Sequence, residues 1–260
     1  MEGSSHRLTG LHQTAARLCR DVYHDTYLHA QEAYVNHPPT DFQCCMKVEG
    51  DVLFVAVRGT EKKQDWKNNV KCSLIEYPLN SKRKVHVGYL MEWLSVQEEV
   101  MFKIDAMIGK YKDSINKVTF CGHSAGTVAV LAALHFTERG KIDKSKSMQS
   151  DAITFGSPRL GNKHFKEYFE QNVPCTRIVL DRDVVTRVPF WGGYKHVGQP
   201  IQIRDKNVIH RDTSSFEASV WLARGVVTNH EVGVSDHSMA RYCAHIDKWV
   251  DTSAREKKNL

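Results

Sequence analysis

Five residues near the middle of the chain, Gly122-His123-Ser124-Ala125-Gly126, constrain its fold more than any other stretch. The run Val118-Thr119-Phe120-Cys121 directly before them reads as a short buried strand, and Val128 to Phe136 directly after them reads as a buried helix. A serine at such a junction sits on a sharp, strained turn, and the glycines two positions either side let the backbone come close. The pentapeptide alone would be a weak signal in 260 residues; its flanks make it a strong one. A serine so placed is a candidate nucleophile, with the positive end of the following helix turned toward a developing oxyanion.

The rest of the chain supplies the surroundings such a turn needs. Cys44 to Val48 and Val52 to Val57 flank the turn residues Glu49-Gly50-Asp51 and predict a hairpin. Met91 to Tyr111 is an amphipathic helix, and Ala152 to Gly156 and Arg177 to Leu180 are further short apolar runs separated by a helical stretch around Phe165, Tyr168 and Phe169. The recurrence of strand, helix and strand predicts an α/β fold with a mostly parallel central sheet and helices on both faces. A leading helix is expected over residues 5–34, ended by Pro38-Pro39, and a last helix begins near Asp236 with Met239, Tyr242, Cys243, Ile246 and Trp249 on one side. Length and the lack of a linker or repeat predict one domain over residues 1–260.

Composition excludes other classes. Apolar residues make up 41% and charged residues 25%, which is not the balance of a disordered chain. The net charge of +6 is scattered among 30 acids, so nucleic acid is not implied, although contact with an anionic membrane or lipid-droplet surface is compatible with it. Seven cysteines, an odd number without metal-type spacing, read as reduced thiols. With no long apolar run and no leader pattern at the start, the expectation is a cytoplasmic protein without a membrane span. No metal or cofactor is expected.

A serine hydroxyl becomes a useful nucleophile only when a base takes its proton, so a histidine and a buried carboxylate must join Ser124. After a turn of this type the carboxylate comes first and the histidine last, each beyond the end of a strand. Asp183 lies just past Arg177 to Leu180, with Asp181 as its rival, and His237 opens the last helix. His196 reads as a strand residue satisfied by a backbone partner, His245 has no catalytic surroundings, and packing and tuning are both open for His123. Two N–H groups are needed for the oxyanion: that of Ala125, and one from the loop Arg58-Gly59-Thr60 after an early strand, which makes Thr60 the candidate.

These blocks occur in an order that resembles the class three lipases, the fungal triacylglycerol lipase type of the α/β-hydrolase fold. The resemblance rests on Val57-Arg58-Gly59-Thr60 with Asp65-Trp66, on Val85-His86-Val87-Gly88-Tyr89-Leu90, and on the serine turn. It continues through Thr154-Phe155-Gly156-Ser157-Pro158-Arg159-Leu160-Gly161-Asn162, Asp183-Val184-Val185-Thr186-Arg187-Val188-Pro189 and Asp236-His237. It implies a hydrolase of lipid acyl esters, with Ser124, Asp183 rather than Asp181, and His237 as its triad, and Thr60 and Ala125 as its oxyanion positions. Phospholipase A1 or acyltransferase activity is open to the same residues, and a lipase-like protein that only binds lipid would normally lack one of the three. Ala125 and Thr127 stand where leucine and a small residue are common, and Thr186 stands where proline often follows the acid.

The resemblance also places a lid over residues 61–70, in which Trp66 and Val70 are the only large apolar groups. Two side chains bring little apolar area to a lipid surface, at about 25 cal/mol per Å², so weak interfacial activation is expected. Val220, Trp221, Leu222, Val226 and Val227 could border an acyl groove or belong to the core.

Overall fold

The apolar runs become strands of one eight-stranded sheet in the computed structural model, which describes residues 8–59, 73–78, 80–180, 183–204, 208–209 and 235–258. Three strands, β1 (Ala33–His37), β2 (Phe42–Glu49) and β3 (Val52–Val57), form an antiparallel meander. Gly50, at a φ of 61°, makes the β2–β3 turn that an L side chain would strain. From β3 the sheet runs parallel through β6 (Lys117–His123), β7 (Gln149–Phe155), β8 (Cys175–Leu180) and β9 (Gln199–Ile203), and β10 (Val208–Ile209) closes it antiparallel. A separate two-stranded ribbon pairs β4 (Leu74–Tyr77) with β5 (Asn80–His86).

Alternation along each strand sends side chains to two different cores. Leu53, Val55 and Val57 of β3 and Val118 and Phe120 of β6 face α3 (Val87–Lys110), α4 (Val128–Ile142) and α5 (Lys163–Asn172). Phe54, Ala56, Cys121, Ile153, Phe155, Ile178 and Leu180 face the opposite way, toward α1 (Gly10–Asp21) and α6 (Met239–Lys258). Helices on both faces of a mostly parallel sheet are what the strand–helix recurrence predicted.

The expected leading helix over 5–34 needs correction. Within its described part the chain forms α1, turns at residues 22–24, makes the short α2 (Asp25–His29), and is already extended as β1 from Ala33. Tyr34 and Val35 are good strand formers, and pairing with Cys45 and Cys44 of β2 decides their conformation. The last helix begins at Met239, three residues after the expected start, and buries Met239, Tyr242, Cys243 and Ile246 as its spacing implied. No helix among the described residues is long and apolar enough to cross a membrane.

Parallel pairing puts several strand ends on one edge. Val57 of β3 is level with Gly122 of β6, and His123 is level with Phe155 of β7, which in turn pairs with Ile178 of β8. The loops after β3, β6, β7 and β8 therefore meet at the C-terminal edge of the sheet, the usual place for a site in such a fold.

Candidate active site

Ser124 stands at the end of β6, where the strand gives way to a single 3-10 turn, Ser124–Thr127, and then to α4. Its φ is 58°, a left-handed conformation that costs a residue with a Cβ about 1–2 kcal/mol. Neighbouring glycines make the turn possible. A Cβ at Gly122 would overlap the carbonyl of Gly126, and one at Gly126 would lie 2.6 Å from the carbonyl oxygen of Val57. Ser157 Oγ donates to Thr127 Oγ1 at 2.8 Å and ties the loop after β7 to the turn.

Asp183 is fully buried past the end of β8, and His237 lies just before α6 with its side chain 15% exposed. The structure brings them together: His237 Nδ1 is 2.8 Å from Asp183 Oδ2. A carboxylate oxygen only accepts, so Nδ1 carries the hydrogen and Nε2 of the neutral ring is left with its lone pair, the form a base requires. Val185 N–H donates to Asp183 Oδ1 at 2.9 Å and Tyr242 Oη donates to Oδ2 at 2.7 Å, while Leu180 N–H donates to Tyr242 Oη at 3.1 Å. Burial and the adjacent carboxylate hold the Tyr242 hydroxyl well above its ordinary pKa, so it stays a donor. Thr186 Oγ1 closes the turn by donating to the Asp183 carbonyl at 2.8 Å, which gives a physical role to the threonine that stands where proline is common.

Gly156 makes room for the pair. Its φ is 59°, and a Cβ there would stand 2.7 Å from Asp183 Oδ2 and 3.0 Å from the His237 ring. The loop after β3 approaches from the other side: a Cβ on Gly59 would fall 2.5 Å from the His123 carbonyl and 3.1 Å from Ser124 Cβ, and would overlap the Tyr23 hydroxyl. Ala125 follows Ser124 at the mouth of a helix, where backbone N–H groups lack intrahelical acceptors. Thr60, the rival Asp181, the 61–70 segment and residues 216–227 lie outside the described residues.

His123 is buried against the same pair. Its Nε2 is 2.7 Å from the His237 carbonyl oxygen, its Nδ1 is 2.8 Å from Tyr23 Oη, and the two imidazole centroids are 4.5 Å apart. Burial first, and the neighbouring His237 second, push its pKa well below 6.5. His196, expected in a strand, instead lies in the loop before β9. Burial and the charges of Arg177 and Arg159 lower its pKa as well, against a backbone hydrogen bond at Thr186. Three contributors were not legible: Tyr242, whose spacing signalled only a buried helix face, Tyr23, and Gly156, whose place at a strand end was its one hint.

A serine held at positive φ between a parallel strand and a helix, with a carboxylate past the end of β8 bonded to a histidine just before the last helix, defines the α/β-hydrolase class. Residues 54–193 match the family model described as lipase (class 3), and the chain belongs to that family. It is 30% identical over 246 residues to phospholipase A1-Igamma1, chloroplastic, of Arabidopsis thaliana, an alignment covering 78% of this chain and 46% of that one. It is 27% identical over 191 residues to phospholipase A1-II 5 of Oryza sativa subsp. indica, covering 63% and 41%. The chain thus spans less than half the length of these two curated relatives. The triacylglyceride lipase of Rhizomucor miehei superposes with a TM-score of 0.71 at 21% identity, over 88% of this chain and 92% of that one, and shares the fold.

Proposed function

We propose that the chain hydrolyses the acyl esters of lipids through a covalent acyl-enzyme, with Ser124 as nucleophile, His237 as base and Asp183 as the carboxylate that orients it. The contact of His237 Nδ1 with buried Asp183, on the strand-end edge that also carries Ser124, is the observation behind this reading. Ser124 Oγ attacks the ester carbonyl carbon while His237 Nε2 accepts its proton. The tetrahedral oxyanion takes hydrogen bonds from the Ala125 N–H and from Thr60. As the intermediate collapses, the carbon–oxygen bond to the alcohol breaks and that alcohol leaves with the proton from His237. Water then repeats the sequence on acyl-Ser124 and releases the carboxylic acid. No metal or cofactor takes part.

Acylglycerols are the substrates first proposed. Phospholipase A1 activity is a second reading, favoured by the names of the rice and Arabidopsis relatives; an acyltransferase would use the same acyl-enzyme with another acceptor. The six described cysteines are buried free thiols, which suits a reducing compartment such as the cytoplasm. The charge of +6 favours transient contact with an anionic lipid surface.

A fluorophosphonate probe tests the chemistry and an ester panel tests the substrate. Wild type should label and Ser124→Ala should not, and the wild type should turn over acylglycerols or phospholipids. A folded wild type that neither labels nor hydrolyses any ester would overturn the reading.

A further inference from the structure

His123 and Tyr23 lie outside the reacting set, yet their hydrogen bonds lead to it. His123 Nε2 faces the carbonyl oxygen of His237, which only accepts, so Nε2 carries the hydrogen. In the neutral ring Nδ1 then accepts from the Tyr23 hydroxyl 2.8 Å away. Both ring nitrogens are thereby satisfied in one tautomer. Among the described residues, the other rings facing it are His237 at 4.5 Å and Tyr242 at 6.0 Å between centroids, and neither brings a negative charge to favour a charged His123. Tyr23 follows α1, and its hydroxyl is wedged against Gly59 as well, so one side chain touches both the serine turn and the loop after β3.

We propose that Tyr23 and His123 are positioning residues for the acyl transfer: the Tyr23 hydroxyl fixes the tautomer of His123, and His123 pins the main chain of His237. His237 is then held at two points, its ring by Asp183 and its carbonyl by His123. The same grip restrains the residue immediately before Ser124 and so helps hold a backbone turn that would relax if released. Through α1 the N-terminal part of the chain becomes part of the catalytic apparatus. The proposal rests on His237 being the base.

Substituting His123 by glutamine or by asparagine separates the two bonds. In His123→Gln the longer side chain would place its amide N–H near the position of Nε2 and reach the His237 carbonyl. In His123→Asn the shorter one would place its amide near Nδ1 and meet only Tyr23. On a soluble p-nitrophenyl ester, Tyr23→Phe should lower kcat roughly threefold to tenfold with KM unchanged. His123→Asn should lose more, and His123→Gln should recover most of the loss at an equal melting temperature. Equal activities for the asparagine and glutamine variants, or losses that vanish at a temperature where each variant is fully folded, would overturn the brace.

A second readout needs no activity. In nitrogen-15 spectra of histidine-labelled wild type at neutral pH, His123 should show its Nε2–H form, as the contacts with the His237 carbonyl and the Tyr23 hydroxyl require. An Nδ1–H tautomer, or a His123 tautomer that Tyr23→Phe leaves unchanged together with its kcat, would overturn the proposal. Failure of the function reading shows separately, as a wild type that takes no fluorophosphonate.

Discussion

The two faces of the central sheet bury side chains for different ends. Under α3, α4 and α5 the cluster is apolar packing, with Trp93, Leu131, Phe136, Phe165 and Phe169 filling the space above Val55, Val118 and Phe120. Under α1 and α6 the apolar residues share the space with a polar chain, in which Leu180 N–H donates to Tyr242, Tyr242 and His237 donate to Asp183, and His123 links His237 to Tyr23. Buried polar groups are costly unless every donor and acceptor is matched, so the second face trades ease of packing for a fixed geometry at its rim. One face holds the sheet together; the other positions what the sheet carries. Substitutions in the first should therefore act on stability and in the second on turnover.

Asp183→Asn is the strongest trial of that division. An amide at 183 can present N–H instead of a lone pair to His237 and favour the wrong ring tautomer, so kcat should fall on the order of 10⁴-fold. The fold should persist, because the carboxamide fills the same space. A hydrolysis rate within about tenfold of wild type would break the comparison and remove Asp183 from its proposed role. On the other face, Phe136→Ala leaves a void beside Phe120, whose ring centroid is 5.6 Å away, and should cost about 3–5 kcal/mol in denaturant unfolding. The folded fraction should keep its kcat. A specific loss of kcat in that variant would show that the packing face also sets the geometry of the serine turn.

Tyr242→Phe mixes the two behaviours and sharpens where they meet. It leaves the Leu180 N–H and one Asp183 oxygen each short of a partner and should cost about 1–3 kcal/mol. Its kcat should fall far less than that of Asp183→Asn, since Val185 N–H and the Asp183–His237 contact remain. A loss of kcat as large as that of Asp183→Asn would make the Tyr242 hydroxyl as important to the base as the carboxylate itself.

Why some of this was legible and some not follows from sequence distance. The serine turn declares itself within about twenty residues, because strand, glycine-flanked turn and helix each leave a local pattern. The β2–β3 hairpin is legible for the same reason. Asp183 and His237 are 54 residues apart, and only the order of blocks and the family resemblance singled them out from rivals such as Asp181. Tyr242 to Asp183 spans 59 residues and Tyr23 to His123 spans 100; a tyrosine hydroxyl leaves no periodic trace, so each reads as ordinary core. The leading helix fails on similar grounds, since residues 33–37 are set by pairing with β2 rather than by the helical spacing before them.

The last prediction concerns the one strongly shifted carboxyl of the packing face among the described residues. Glu92 lies on the second turn of α3, and burial, then the charge of Asp41, raise its pKa from 4.5 to about 8, with Arg58 opposing. The folded chain therefore keeps a proton there at pH values where the unfolded chain has lost it. That contribution to stability is fully present below about pH 4.5 and is lost as the pH rises toward 8. Glu92→Gln imitates the protonated side chain, so it should flatten this slope and gain on the order of 1 kcal/mol at and above pH 8. That is less than the full shift would give, because the half-buried side chain retains contact with water. Urea unfolding of both proteins at acid and alkaline pH reads it directly, and parallel slopes would refute it. Arg58, which pairs with Asp41 at 2.7 Å, is the residue before Gly59, so the charge on Glu92 bears on the loop that reaches Ser124. At this one corner the packing face is expected to touch turnover, through a small alkaline change in kcat that Glu92→Gln removes.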